Sequence, residues 1–272
     1  MTTECARTEV LVSIDDVCLS FGDNVVLDHV TASIRDIIVP GRQQGQVVGI
    51  LGPSGRGKTQ LFRILAGLNQ PTSGGVRTSR QTNLGEYGLA PVHAGSVGVV
   101  DQHYTLFNHR TVGDNLLLAS PRGKKDSDRA KELLAKFQLE SRWGAYPGEL
   151  SGGQRQRVAI CQQMMCTRDV LLMDEPFSGL DPIMKEEACK LITDTASVNE
   201  RMTVIVITHD IASSVKISDT LWLLGRGHEG PGSRIQKEID LIERDLAWSV
   251  DITSKPGYLS VMREVGAAFR TL

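Results

Sequence analysis

The chain has 272 residues, 40% of them apolar, which suffices for one large domain or a domain with a subdomain. Its 30 basic and 32 acidic residues give a formal charge of −2, so no basic bias indicates nucleic acid as a partner. No apolar run approaches the ~18 residues of a membrane-spanning helix, so work at a membrane would need a spanning partner chain.

The first stretch of the chain predicts paired β-strands. Residues Val10–Phe21 and Val25–Ile34 have the pattern of half-buried strands, and Gly22–Asn24 between them has the composition of a turn. We therefore expect an antiparallel β layer that packs against a main sheet.

Five short apolar runs without alternation predict that main sheet. Strands buried on both faces have this pattern, because helices cover both sides of a parallel sheet. The runs are Val47–Leu51, Val97–Val100, Val170–Met173, Thr203–Thr208 and Leu221–Leu224. The segments between them have helical stripes, formed by Leu61, Leu65 and Leu68, by Val158, Cys161 and Met165, and by Ala188, Leu191 and Ile192. The fold class is therefore α/β, with a parallel sheet and flanking helices.

A glycine-rich loop follows the first of these runs. Its sequence, GPSGRGKT, matches G-x-x-x-x-G-K-[ST] between a predicted strand and a predicted helix, the context that identifies a P-loop. Backbone N–H groups of such a loop wrap phosphates, while Lys58 adds a positive charge and the Thr59 hydroxyl binds Mg²⁺. The candidate nucleotide-binding residues are Gly52, Pro53, Ser54, Gly55, Arg56, Gly57, Lys58 and Thr59.

A second stretch suited to phosphate lies much further along the chain. The sequence LSGGQ, Leu150–Gln154, places a hydroxyl residue and two glycines before a segment with helical spacing. The N-terminus of a helix has free N–H groups and a dipole that favours an anion. No strand run occurs from Gln102 to Arg168, so a helical subdomain of about 103–168 is predicted as an insertion in the α/β core.

Acidic and histidine side chains follow two of the buried runs. Asp174 and Glu175 are adjacent carboxylates that point to different sides, so Asp174 can hold Mg²⁺ while Glu175 faces an attacking water. His209 closes the next run, at the edge of a parallel sheet where ligands bind, although a lone histidine at a strand end is often structural. Asp181, followed by Pro182, is typical of a helix N-cap.

The chain beyond Leu224 gives weaker signals. A glycine-rich loop leads into a tail whose last helix is predicted to bury Tyr258, Met262, Val265 and Phe269. The five cysteines are few, odd in number and unpatterned, which fits a reducing compartment. Cys161 and Cys166 lack zinc-site spacing and nearby histidines, so we expect them to be buried small apolar residues.

Taken together, the motifs resemble those of ABC-family ATPases over about residues 10–225. Six elements occur in the family's order: the P-loop, a Q-loop glutamine, the LSGGQ signature, a Walker B strand, a D-loop and a switch histidine. They correspond here to Gly52–Thr59, Gln102, Leu150–Gln154, Val170–Asp174 followed by Glu175, Ser178–Asp181, and His209. The resemblance implies an ATPase domain over 1–225 and a tail over 226–272 that packs on it.

The resemblance also explains why one chain carries two phosphate-binding stretches. Members of the family bind ATP between two domains arranged head to tail, so the signature of one domain completes the nucleotide site of the other. The partner's nucleotide would be held by Ser151, Gly152, Gly153 and Gln154, together with Asp181. ATP and Mg²⁺ are the implied cofactors, with Thr59, Gln102 and Asp174 around the metal and with Glu175, His209 and Gln102 as catalytic residues.

Three positions depart from the usual family pattern. Gln60 follows Thr59, where a second small hydroxyl residue is common in the family. The resemblance still implies that Gln60 is one of the nucleotide-binding residues. Phe21 takes the adenine-stacking position that is commonly tyrosine, and an apolar ring still stacks. The segment Arg35–Gln46 before the P-loop strand is longer than the usual short turn.

The leading functional hypothesis is the ATP-hydrolysing subunit of an importer-type ABC transporter. Its expected partners are a second ATPase subunit, as a homodimer, and a transmembrane permease that holds it at the inner face of the cell membrane. The alternative is a soluble ABC ATPase that serves a non-transport complex in iron–sulfur assembly, lipid handling or division. An unrelated P-loop kinase or GTPase is disfavoured by LSGGQ and by SGLD at Ser178–Asp181.

Overall fold

The computed structural model describes residues 5–41, 45–81, 86–101, 104–166, 169–227, 230–249 and 251–272. The strands are β1 (Ala6–Phe21), β2 (Asn24–Ile38), β3 (Gln46–Leu51), β4 (Ser73–Gln81), β5 (Tyr87–Pro91), β6 (Gly98–Val100), β7 (Val170–Asp174), β8 (Thr203–Thr208), β9 (Thr220–Gly225) and β10 (Arg234–Asp240). The α-helices are α1 (Lys58–Leu65), α2 (Val112–Ala119), α3 (Ser127–Lys136), α4 (Gly152–Cys166), α5 (Pro182–Ala196), α6 (Ile211–Ile217) and α7 (Pro256–Phe269).

The strands form two sheets, as the sequence predicts. One is antiparallel, in the order β2-β1-β4-β5, and the other has the order β10-β9-β3-β8-β7-β6. Strands β9, β3, β8, β7 and β6 of the second sheet are parallel, and β10 joins it antiparallel to β9. All five predicted apolar runs are strands of this second sheet, which confirms the α/β prediction.

Alternate residues of the central strands pack into different cores. Leu171 and Val204 belong to a cluster shared with the helices between β6 and β7, whereas Leu172 and Ile205 belong to a cluster shared with the antiparallel β layer and α1. This period of two is the pleat of a strand buried on both faces. The second sheet therefore separates the helical region from the P-loop helix.

The region predicted as a helical subdomain contains helices and no strand among its described residues. Helices α2, α3 and α4 pack around Leu116, Leu134 and Ile160, all of which are fully buried. The predicted stripe of Val158, Cys161 and Met165 on α4 is likewise buried.

Several expectations from helical spacing were too broad. Leu68 is 59% exposed, because α1 ends at Leu65 and the stripe does not continue beyond it. Leu191 is only half-buried on α5, whereas Ala188 and Ile192 are buried as predicted. On α7 the buried residues are Val261 and Val265, and the other three predicted core residues, Tyr258, Met262 and Phe269, are half-buried against the same cluster.

Three strands were missing from the sequence prediction. Strands β4 and β5 complete the antiparallel layer, and β10 lies in the segment predicted as a loop and tail. The main sheet therefore extends past residue 225, where the predicted ATPase domain ends. Strand β2 reaches Ile38, so Arg35–Ile38 of the unusually long segment before the P-loop strand is strand, not turn.

None of the helices in the described parts of the chain has both the length and the hydropathy needed to cross a membrane.

The buried residue Asp219 links three strands of the main sheet through its side chain and its backbone. Asp219 accepts a hydrogen bond from Val47 N at 2.7 Å, and its own N–H donates to Val47 O at 2.8 Å. Its carbonyl accepts a hydrogen bond from Leu241 N, just after β10. Burial raises the pKa of Asp219 from 3.8 to about 8, so the group is protonated in the folded chain at neutral pH.

This pKa shift predicts a pH-dependent stability. The folded state binds the proton more tightly than the unfolded state, so the stabilisation is complete below about pH 4 and is lost as pH rises towards 8. Replacing Asp219 with Asn keeps a neutral acceptor for Val47 N and should flatten this pH dependence. Chemical unfolding of both proteins between pH 5 and 9 measures the slope. Equal slopes for the two proteins would contradict the assignment.

Candidate functional site

The P-loop lies where the fold can hold a phosphate chain. Strand β3 ends at Leu51 and α1 begins at Lys58, with Gly55 and Gly57 at φ angles of 77° and 76° in between. In the described structure no side chain caps the N-terminus of α1, so its first N–H groups are available to an anion. A Cβ atom on Gly52 would lie 2.4 Å from Leu224 O, so the start of the loop requires glycine.

Lys58 is buried against the loop that it serves. Its Nζ donates to Gly52 O at 2.8 Å and to Pro53 O at 3.1 Å, and it lies 3.9 Å from Glu175 Oε1. Thr59 is exposed, and Gln60 Oε1 accepts a hydrogen bond from Asn69 Nδ2 at 3.2 Å.

Glu175 is held by two groups at the end of the neighbouring strand. Thr208 Oγ1 donates to Glu175 Oε2 at 2.9 Å, and His209 Nδ1 lies 2.9 Å from the same carboxylate. The backbone N–H of Glu175 donates to Ile207 O at 2.8 Å, and its φ angle of 48° is unusual for a residue with a side chain. Such strain is often found at functional sites, where the surroundings fix one conformation.

The charges around this edge favour a cation and an anion as ligands. Burial raises the pKa of Asp174, and the neighbouring Glu175 raises it further. Burial also lowers the pKa of Lys58, although Glu175 and Asp174 oppose the shift. A divalent cation beside Asp174 and a phosphate beside Lys58 would stabilise the charged form of each group. The residues present therefore fit Mg²⁺ and a nucleotide phosphate.

Phe21 lies at the tip of the β1–β2 hairpin. Its side chain is 54% exposed at the last position of β1, where it pairs with Asn24 across the turn. Val26, two residues after Asn24 on β2, packs against the loop, since its Cγ1 would lie 3.1 Å from a Cβ atom on Gly57. The hairpin that carries the exposed Phe21 ring therefore contacts the phosphate loop through Val26.

The signature forms the start of α4. Gln154 N donates to Ser151 Oγ at 3.3 Å, and Ser151 N donates to Gln154 Oε1 at 3.1 Å, which is a capping box. Ser151 is exposed, and a Cβ atom added to Gly152 or Gly153 would meet no atom within 4 Å. Contacts with the described residues outside the helix's own backbone therefore do not explain the two glycines.

The structure groups the predicted residues into separate places. It brings Lys58, Glu175 and His209 together, with Asp174 beside them. Helix α4, which begins within the signature, packs in the core on the opposite face of the main sheet from α1. Asp181 caps α5 by accepting a hydrogen bond from Met184 N at 2.9 Å. Gln102, the predicted Q-loop glutamine, lies outside the described residues.

The loop that follows β6 is fixed by a buried amide. Asn115 Oδ1 accepts from Phe107 N at 2.8 Å, and its Nδ2 donates to Thr111 O at 2.9 Å and to Phe107 O and Arg110 O at 3.2 Å. Tyr104 and Leu106 are half-buried against the helical core, whereas Phe107 is 44% exposed. The loop borders a groove of about 370 Å³, lined by Tyr104, Thr105, Leu106, Asn108, Pro147, Gly148 and Arg155.

Comparison with known proteins identifies the family. The family model described as ABC transporter matches residues 41–178. The arginine transport ATP-binding protein ArtM of Bacillus subtilis is 32% identical over 223 residues, which cover 80% of this chain and 88% of that protein. The chain belongs to the ABC transporter family. It functions as an ATP-binding, ATP-hydrolysing subunit of such a transporter.

Other relatives are also named as ATP-binding proteins of transport systems, but their names give different transported substrates. The sulfate/thiosulfate import ATP-binding protein CysA of Halalkalibacterium halodurans is 36% identical over 225 residues, which cover 79% of this chain and 58% of that protein. The Fe(3+) ions import ATP-binding protein FbpC 2 of Rhodococcus jostii is 34% identical over 79% of this chain and 59% of its own length. This ABC ATPase thus spans less than two thirds of these two relatives.

Solved structures support the fold. CbiO1 of Clostridium perfringens, part of an ABC transporter complex, matches with a TM-score of 0.70 and 22% identity, covering 97% of both chains. An ATP-binding cassette of an ABC transporter in its ADP conformation matches with a TM-score of 0.69 and 20% identity, covering 90% of this chain and 98% of that one.

Two residues that position the site belong to none of the predicted motifs. Thr208 holds Glu175, and Asn115 holds the loop after β6. Thr208 is predicted only as the end of an apolar run, because its contact with Glu175 joins two strands that are distant in the sequence. Asn115 gave no sequence signal, because its hydrogen bonds depend on the path of the loop.

The geometry around Glu175 predicts its role as the base or water-orienting group. Replacing Glu175 with Gln keeps the size and the contact with Thr208 but removes the negative charge, so ATP hydrolysis should fall about 10²–10⁴-fold. Nucleotide binding should persist, since Lys58 and the loop are unchanged. Hydrolysis by the purified variant and its binding of a fluorescent ATP analogue measure the two effects. Hydrolysis at the wild-type rate would exclude this role.

Proposed function

We propose that this ABC ATPase powers an importer by binding Mg²⁺–ATP between two ATPase subunits. The observation that carries the proposal is the convergence of Lys58, Glu175 and His209 beside an uncapped P-loop helix. The matched relatives named for transport of arginine, sulfate and Fe(3+) favour import but disagree on cargo. The proposal therefore stops at the transporter type.

The proposed roles follow from the contacts of each side chain. The loop Gly52–Thr59 binds the phosphates, and Lys58 exchanges its carbonyl partners for phosphate oxygens. Thr59 and Asp174 would hold Mg²⁺, with Gln102 as the third predicted group, and the ion would neutralise phosphate charge. Glu175 orients the attacking water, His209 orients Glu175, and Phe21 stacks on the adenine.

The proposed dimer rests on the placement of the two phosphate-binding stretches. Helices α1 and α4 pack on opposite faces of the main sheet, so the signature is separated from the P-loop of its own chain by that sheet. Gly152 and Gly153 face open space, which leaves room for a ligand presented by a second subunit. Ser151 to Gln154, with Asp181, would complete the partner's nucleotide site. A homodimer is the simplest such assembly.

The proposed membrane partner is a permease that docks in the groove beside Leu106. The groove lies between the loop that follows β6 and the segment that leads to the signature, so a helix bound there would contact both. Recognition of a short helix in a groove is a common mode of binding. Through this contact the subunit would lie at the cytoplasmic face of the membrane.

A charge placed in the signature should block dimerisation without damaging the monomer. In a Glu175→Gln background, we expect Mg²⁺–ATP to raise the mass measured by light scattering to that of a dimer. Adding Gly153→Arg should abolish this increase, because the new side chain fills the space for the partner's phosphate. Gly144→Arg is the matched control, since Gly144 is exposed and, like Gly153, has no atom near its Cβ position.

ATP binding by each variant should be unchanged in the monomer. If Gly153→Arg dimerised like the Gly144→Arg control, the shared-site proposal would be wrong.

A charge in the groove should uncouple transport. Leu106→Asp should disrupt docking of the permease, so ATP-dependent uptake by the assembled transporter should fall at least tenfold, while the isolated subunit still binds ATP. Leu118→Asp is the control, because Leu118 is 52% exposed on α2 outside the groove. Circular dichroism verifies that both variants are folded.

Cysteine at Asn108, an exposed residue of the groove, should crosslink to the permease in the same complex. Normal transport by Leu106→Asp together with no crosslink would place the docking surface elsewhere. Co-purification of the subunit with a soluble complex and no permease would favour the non-transport alternative.

A further inference from the structure

The β1–β2 hairpin contains two residues with strained backbones. Asp16 and His29 have φ angles of 51° and 52°, in the left-handed region that favours glycine. The strand register shifts on both sides of the Val17–Val30 pair, so each strand has an irregularity there. Bulges redirect side chains, and strained residues persist only where the surroundings fix them, which suggests a local function.

The irregularities bring three potential metal ligands together. Cys18 Sγ, a carboxylate oxygen of Asp28 and a ring nitrogen of His29 all lie within 4.8 Å of one another. His29 Nε2 is 3.9 Å from Asp28 Oδ1, and the backbone N–H of His29 donates to Cys18 Sγ at 3.3 Å. Cys18 and Asp28 are half-buried and His29 is exposed, so the group is open to solvent on one side.

Charged neighbours orient two of these ligands, His29 and Asp28. Asp16 Oδ1 lies 2.7 Å from His29 Nδ1, which fixes the ring and leaves Nε2 for another partner. A carboxylate that binds the remote nitrogen of a histidine is the usual support for a zinc-ligating imidazole. Arg234 Nη2 lies 3.5 Å from Asp28 Oδ2, so the other oxygen, Oδ1, faces His29.

We propose that Cys18, Asp28 and His29 form a binding site for a zinc-type divalent cation, with Asp16 as the positioning residue. Thiolate, imidazole and carboxylate are the ligands of tetrahedral Zn²⁺, and water would supply the fourth position. Ligand atoms around such an ion lie about 3.3–3.6 Å apart, given the usual Zn–S and Zn–N distances. The 3.9 Å between His29 Nε2 and Asp28 Oδ1 is already close to that spacing.

The bound ion would join the two strands at the base of the hairpin tip. That tip carries Phe21, and its Val26 lies against Gly57 of the P-loop. An ion that holds Cys18 to Asp28 and His29 would therefore fix the position of the exposed ring relative to the phosphate loop. The site is distinct from the proposed Mg²⁺ position, which contains no thiol.

Cobalt provides a direct test on the reduced protein. Co²⁺ bound by a thiolate gives a ligand-to-metal charge-transfer band that a site built from oxygen ligands cannot give. One equivalent of Co²⁺ should produce this band, and Zn²⁺ should remove it by displacement. Cys18→Ser and His29→Gln should each abolish it or weaken binding at least tenfold.

Matched variants separate this site from other thiols and imidazoles. Cys166 is also a half-buried free cysteine, and His93 is also an exposed histidine, so Cys166→Ser and His93→Gln should leave the band unchanged. Asp16→Asn tolerates the same backbone but loses the charge that supports His29, and it should weaken Zn²⁺ binding about 10–100-fold. Circular dichroism confirms the fold of each variant.

Absence of the charge-transfer band in the wild-type chain would overturn the proposal, as would its persistence in Cys18→Ser. Alkylation mapped by mass spectrometry provides a second measurement, in which Zn²⁺ should slow modification of Cys18 and not of Cys5, an exposed thiol. Equal rates with and without Zn²⁺ would show that these side chains form only a hydrogen-bonded cluster.

Discussion

The site depends on the register of three parallel strands. Leu51 of β3 pairs with Thr208 of β8, and Asp174 of β7 pairs with Ile207 of β8. Because parallel strands all end at the same edge, this register places the P-loop, Glu175 and His209 next to one another. A slip of one residue in β8 would turn Thr208 away from Glu175 and remove its support. The apolar residues of these strands thus determine the geometry of the polar edge.

The sequence predicted the parts of the fold whose burial leaves a clear pattern. The five parallel strands are buried on both faces, so apolar runs identified them. The sequence SGGVRTSRQ of β4 and the sequence RIQKEID of β10 lack such runs. Strand β10 lies at a sheet edge with exposed residues at its centre, so it depends on pairing with β9 and not on its own apolar content.

The sequence was sufficient to predict which residues form the site, but not their backbone conformation or their contacts. Spacing placed Asp174, Glu175 and His209 at strand ends, and the structure brings Glu175 and His209 to hydrogen-bonding distance. The positive φ of Glu175 and its contact with Thr208 result from long-range packing that no local pattern encodes. The capping box of Ser151 and Gln154 is the opposite case, because its four-residue pattern is local.

Glycines in the two phosphate-binding stretches have different physical origins. Gly52 is required within the chain, because a Cβ atom would clash with Leu224 O. Gly152 and Gly153 have negative φ angles and no neighbour near a Cβ position, although glycine destabilises a helix by about 0.5–1 kcal/mol relative to alanine. The capping box offsets part of that cost, since an N-cap is worth about 1 kcal/mol. The start of α4 is therefore held by its capping box and leaves Gly152 and Gly153 without a close neighbour among the described residues, as the proposed binding of a second subunit's nucleotide requires.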